Sequence, residues 1–117
     1  MKTALTPKES KHLISLGVPK EKASEIECDQ WEECTPIFSL EDFLNGEILP
    51  KETEGKYGTS VLVMTFGGSD LISNIQEWFA YYDGIIESYR YHAEELIDAL
   101  YQLACWYYGE YLKSEKK

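Results

Sequence analysis

The sequence predicts an α+β domain in which a three-stranded antiparallel meander is packed by a long C-terminal helix. Three observations carry that prediction. Residues 93–108, AEELIDALYQLACWYY, place Ala93, Leu96, Ile97, Leu100, Leu103, Ala104, Tyr107 and Tyr108 on one helical face and Glu94, Glu95, Asp98 and Gln102 opposite. The run SVLVMTF at 60–66 is rich in β-branched and aromatic residues and is bounded by Gly58, Gly67 and Gly68, as a strand should be. Asp83 and Gly84 separate two further strand-like runs, 75–82 and 85–91, by the two-residue turn that best matches strand twist.

That turn implies a register. Tyr82 should oppose Ile85, Ala80 should oppose Glu87, Trp78 should oppose Tyr89, and Glu77 should oppose Arg90, the only arginine in the chain. One face then carries Trp78, Ala80, Tyr82, Ile85, Tyr89 and Tyr91, and the other Ile75, Phe79, Tyr81 and Ile86. Neither is plainly polar. Either the long helix covers one face and the N-terminal segments the other, or one aromatic face is an interaction surface.

Upstream, Thr6 and Glu9 have capping-box spacing around Pro7, which predicts a helix over 7–16 ended by Gly17. Pro19 permits a further short turn. This pair of segments is no helix-turn-helix, because PKEKASEIE lacks the apolar positions of a recognition helix and the unit has no arginine. Residues 27–36, ECDQWEECTP, read as an acid-rich loop closed by Pro36. Ser39 caps a second short helix, 40–45, before Gly46, and KETEGKYG reads as a polar turn.

The 117 residues, 44% apolar and 14% aromatic, suffice for one domain over 1–117, with 1–26 as a helical arm and the lysine-rich tail 113–117 expected to be disordered. The formal charge of −10 is uneven. Residues 1–22 set five lysines against Glu9 and Glu21, for +3, and 113–117 set three lysines against Glu115, for +2. Residues 23–112 carry Lys51, Lys56 and Arg90 against eighteen acids, for −15. Such a body repels a phosphate backbone, so nucleic acid is not an expected partner. No apolar run approaches the length of a membrane span, and Met1 to Thr6 offers no secretory core, so no membrane partner is expected. Three cysteines make an odd count, and Cys28 and Cys34 lie too far apart for a zinc knuckle. Reduced thiols and a cytoplasmic setting are the expectation.

The strings FSLEDFL, ILPKE, the strand run and AEELIDALYQLACW together resemble a group of small uncharacterised acidic proteins that recur in gut anaerobes and their phages or mobile elements. The resemblance spans roughly residues 36–108, and its LPKE and AEELIDALY strings are the most specific. It implies a small accessory protein and carries over no activity, substrate or cofactor.

Chemical motifs are sparse. His92-Ala93-Glu94 matches half of a zinc deaminase signature, but the P-C-x-x-C half is absent, and His92 is expected at the entrance of the long helix. No P-loop, dinucleotide fingerprint or nucleophile elbow occurs, and the abundance of acids hides any catalytic pair. No catalytic, cofactor-binding or metal-binding residue is therefore assigned. The candidate interaction residues are aromatic: Trp31 inside the acidic loop, Trp106 about 220° around the helix from Ala93, at the edge of its polar face, and Phe79 and Tyr81 on the second sheet face. The expected function is a non-enzymatic accessory or protein–protein interaction module that binds another protein or a second copy of itself. An acidic inhibitor or nucleic-acid mimic is the alternative, and a small hydrolase or metal enzyme the third.

Overall fold

The capping box at Thr6 forms as its spacing requires. The Glu9 amide donates to Thr6 Oγ1 at 3.1 Å and the Thr6 amide to Glu9 Oε1 at 3.0 Å, opening α1 (Pro7–Leu16), which ends at Gly17 with φ +120°. The computed structural model describes residues 1–55, 58–67, 77–84 and 90–115. Ser39 and Asp42 make a second reciprocal box at α2 (Leu40–Leu44).

The protein is α+β, and among the described residues its main sheet has four antiparallel strands where the sequence suggests three. The strands are β3 (Glu52–Gly55), β4 (Gly58–Phe66), β5 (Trp78–Asp83) and β6 (Tyr91–Ala93), in the order β3-β4-β5-β6. The extra one, β3, arises from part of the expected polar turn. Its glutamates suit an edge, where charged side chains face water, while Thr53 between them is buried. A separate two-stranded hairpin, β1 (Glu25–Cys28) and β2 (Cys34–Ile37), replaces most of the expected 27–36 loop.

The expected β5–β6 register is corrected. Trp78 opposes Ala93, Phe79 opposes His92 and Ala80 opposes Tyr91. Asp83 is no turn residue, because it stays in the ladder opposite Val61. Gly84, at φ +145°, then lies so close to β4 that a Cβ would come within 2.8 Å of Ser60 Cα. Only glycine fits there. Residues 75, 76 and 85–89 of the expected strands lie outside the described residues. The shift from the expected register is even, so Trp78, Ala80, Tyr82 and Tyr91 still share a face, as the alternation in sequence requires.

The long helix begins and ends later than its apolar stripe suggests. Ala93 is the last residue of β6, and α3 (Leu96–Trp106) starts after Glu95. Its end is also corrected. Gly109 does not terminate the helix, which widens into a π turn (Tyr107–Tyr111) and continues as α4 (Leu112–Glu115). Packing of Tyr107, Tyr111 and Leu112 on the core outweighs the roughly 1 kcal/mol by which glycine disfavours a helix interior. The expected tail therefore begins inside α4, and residues 116 and 117 lie outside the described set.

The core sits on α3. Ile97, Leu100 and Leu103 are fully buried, and so is Ala99, which lies off the main stripe, because α1 and α2 as well as β5 and β6 pack on this one helix. Phe38, Phe43, Ile48 and Leu49 complete the core, each such side chain contributing about 1.5–3 kcal/mol relative to exposure. Tyr82 and Tyr108 close its margin by donating to the carbonyls of Pro50 and Ile48. Lys2 pins the N-terminus across the helices, its Nζ 3.1 Å from Glu9 and 2.7 Å from Asp98. Ala80 and Tyr82 turn towards α3, whereas Val61, Val63, Phe79 and Tyr81 share the opposite face of the sheet. No helix among the described residues is long and apolar enough to cross a membrane.

Candidate interaction surface

Between Lys22 and Lys51 the chain has eight acids and no lysine, arginine or histidine, and the β1–β2 hairpin is built within that stretch. Its base is fixed to the core. Ile37 and Phe38 are buried, and the Phe38 amide donates to Ser10 Oγ at 3.2 Å. On the other strand, the Ser24 amide and hydroxyl both donate to Asp42 Oδ2, at 3.0 and 3.1 Å.

Beyond that base the hairpin projects into solvent. Its apex is a three-residue loop, Gln30 to Glu32, closed by the Asp29 amide donating to the Glu33 carbonyl at 3.0 Å and the Glu32 amide donating to the Asp29 carbonyl at 3.1 Å. The Asp29 carboxylate also accepts from the Trp31 and Glu33 amides, at 2.8 and 3.0 Å. Trp31 is thereby held at the tip with 75% of its surface exposed. Glu32 takes φ +63°, the left-handed position that such loops normally give to glycine, at a cost of about 1–2 kcal/mol.

The two faces of the hairpin differ. Ile26, 70% exposed, opposes Pro36, and the next pair on that face is Cys28 with Cys34. Glu25 and Glu27 alternate onto the other face. The expectation of reduced thiols is corrected here, since Cys28 and Cys34 stand directly opposite across the ladder and are joined by a disulfide. That bond removes both from any metal site and withdraws one of the two supports for a cytoplasmic setting. The residues missed in sequence are Ile26, Glu32 and the disulfide pair. The available signal was a pair of cysteines flanking an Asx-turn residue and a tryptophan, with Ile26 and Pro36 one alternation further out.

The other aromatic candidates lie elsewhere. Phe79 and Tyr81 are half-buried on the sheet face turned away from α3. The Arg90 guanidinium lies 4.7 Å above the Tyr81 ring, so it does not take the expected place opposite Glu77. The Glu77 carboxylate instead meets Nδ1 of His92, whose ring is 5.7 Å from Phe79. His92 belongs to β6 and not to the helix entrance. Trp106 is half-buried in an aromatic cluster, stacked on Tyr111 at 5.3 Å and tilted against Tyr82 at 6.5 Å. The π turn makes this stack, because one extra residue per turn brings position 111 back over 106. Beside it runs an open groove of about 340 Å³ lined by Tyr91, Tyr101, Gln102, Cys105, Trp106 and Glu110.

Two titrating groups beside that groove, the Cys105 thiol and the Tyr101 phenol, are held in their neutral forms. Burial pushes the Cys105 thiol up, against a hydrogen bond from Tyr101 that acts the other way. Burial first, then Cys105, pushes the Tyr101 phenol up to about 12. A thiol so placed is a poor nucleophile at neutral pH. Asp42 is nearly fully buried, but its carboxylate is occupied in capping α2 and holding Ser24. Among the described residues no group of three or more His, Cys, Asp or Glu is placed to hold a metal ion. No family model, curated protein or solved structure matches the chain.

Proposed function

We propose that this protein is a non-enzymatic binding module that docks its acidic, tryptophan-tipped hairpin into a basic groove of another protein. One observation carries the reading: Trp31 stands three-quarters exposed at an apex braced by Asp29, amid the carboxylates of Glu25, Glu27, Glu32 and Glu33. An exposed tryptophan on a rigid turn supplies a large apolar anchor at small entropic cost, and a ring of like charges selects a partner of opposite sign.

The test compares the binding of recovered partners to the wild-type chain, to Trp31→Ala and to a variant with Glu25, Glu27, Glu32 and Glu33 changed to Gln. Loss of the anchor should weaken binding by about 2 kcal/mol, roughly thirtyfold, at any salt concentration. Loss of the charges should mainly slow association and flatten its salt dependence. Partners that bind Trp31→Ala as tightly as wild type would sink the proposal. The net −15 over residues 23–112 favours a second reading, an acidic mimic whose carboxylates replace phosphates in a basic groove. That reading predicts strongly salt-sensitive binding in which Trp31 is dispensable. A second copy as the partner, through the lysines of residues 1–22, predicts a concentration-dependent dimer by light scattering.

A further inference from the structure

We infer that the Cys28–Cys34 disulfide is a redox latch that holds the hairpin in its docking shape, an inference that rests on the reading of Trp31 as the docking anchor. Both cysteines are exposed, so small-molecule and protein thiols can reach them. They are directly opposed across the ladder, so the bond can form and break without moving the base of the hairpin. That base is independently secured by Ile37, Phe38 and the Ser24–Asp42 hydrogen bonds.

Without the bond, little holds the rest together. The hairpin is an isolated pair of four-residue strands, which is marginal in water. Its carboxylates repel one another, with no cation in the stretch to offset them. Glu32 adds backbone strain at the loop. Three features thus favour opening, and the cross-link opposes them together with the solvent-exposed hydrogen bonds of the ladder and of Asp29 at the apex. The core does not share this dependence, because its packed residues on α1, α2 and α3 include neither Cys28 nor Cys34.

The chemistry is thiol–disulfide exchange with a small-molecule disulfide. In closing, the thiolate of one cysteine attacks the external disulfide and expels one thiolate, leaving a mixed disulfide. The thiolate of the other cysteine then attacks the protein sulfur and expels the second. Two electrons and two protons pass from the cysteine pair to the external disulfide, which leaves as two thiols. Opening is the reverse, with two external thiols as the reductant. In the closed form Trp31 is pre-organised, and in the open form its ordering must be met from binding energy.

Hydrogen exchange on the full chain, equilibrated in buffers from reduced to oxidised glutathione, tests the latch. Amides of 26–35 should exchange at least tenfold faster in the reduced buffer, reversibly, while those of α1 and α3 keep their protection. The double variant Cys28→Ser/Cys34→Ser should match the reduced form in every buffer. Equal protection of 26–35 in both buffers overturns the inference. So does loss of protection in α1 and α3 on reduction, which makes the bond a staple of the whole fold. No partner enters this measurement, so its failure leaves the docking reading standing, and failure of the docking reading leaves the exchange result unchanged.

Discussion

Trp31 and Trp106 are the same residue type in two opposite settings, and the contrast separates surface from core in this protein. Trp106 is stacked on Tyr111 and faces Tyr82 across the helix–sheet contact, where aromatic pairs add about 0.5–1.5 kcal/mol each beyond their burial. Trp31 makes no ring contact among the described residues, and its backbone alone is held, by Asp29. One tryptophan stabilises the fold. The other is presented by it.

Substitution at each position is the sharpest way to break the comparison. Trp106→Ala should lower unfolding free energy by about 2–3 kcal/mol, less than for a fully buried tryptophan because part of its surface is already wet. Trp31→Ala should stay within about 0.5 kcal/mol of wild type. Urea denaturation with an unchanged m-value measures both, and equal midpoints for the two variants would erase the distinction. The Cys28–Cys34 bond closes no loop through the core. Its removal should cost the hairpin about 2 kcal/mol of local stability while leaving the global urea midpoint in place.

Smaller effects sharpen the core side of the contrast. Gly109 lies within the helical run, and an added Cβ would meet Leu16 Cδ2 at an ordinary 3.8 Å. Gly109→Ala should therefore stabilise by about 0.5–1 kcal/mol, and destabilisation would show that the π turn needs glycine. Lys2→Met should cost about 0.5–1 kcal/mol by freeing α1 from α3. Burial draws the Lys2 ammonium down, but hydrogen bonds to Asp98 and Glu9 outweigh it and raise its pKa. Burial likewise opposes, without reversing, the lowering of the Glu9 carboxyl by Thr6 and Lys2. The wild-type contribution from Glu9 is thus complete above its ordinary value of 4.5 and lost as pH falls from there through its lowered folded value, while that from Lys2 is complete below 10.5 and lost as pH rises through its raised folded value. An acid unfolding limb identical in Lys2→Met would refute the coupling.

The last test needs no substitution. Burial, then the neighbouring Tyr107, holds the Tyr108 phenol up to about 12, and burial, then Cys105, holds Tyr101 at a similar value. Their folded values exceed the ordinary 10, so this part of the stability is complete below pH 10 and declines as pH rises towards 12. An ultraviolet phenolate titration should show these tyrosines ionising late, together with unfolding. A single transition near pH 10 in the native state would contradict the packing described for the aromatic cluster.

Local signals were legible wherever neighbours in sequence were sufficient causes. Thr6–Glu9 and Ser39–Asp42 box their helices as their spacing requires, the apolar stripe from Leu96 to Tyr107 is buried, and Gly58 and Phe66 bound a strand. The candidate surface was half legible. Trp31 stood out as an apolar residue among acids, but its loop did not read as a hairpin, since Glu25 and Glu27 are poor strand formers.

The sequence by itself determined the fold class, the helix starts set by capping residues and the alternation that puts Trp78, Ala80 and Tyr82 on one face. These follow from bonds and periodicities that span only a few residues. The tertiary structure decided the rest: the β5–β6 register, through the approach of Gly84 to β4; the passage of the helix through Gly109, through packing of Tyr107 and Tyr111; and the hairpin, through the meeting of Cys28 and Cys34. The first two depend on contacts between parts of the chain whose proximity no local pattern encodes, and the hairpin on a close cysteine pair set against poor strand formers; each overrides a local preference of only about 1–2 kcal/mol.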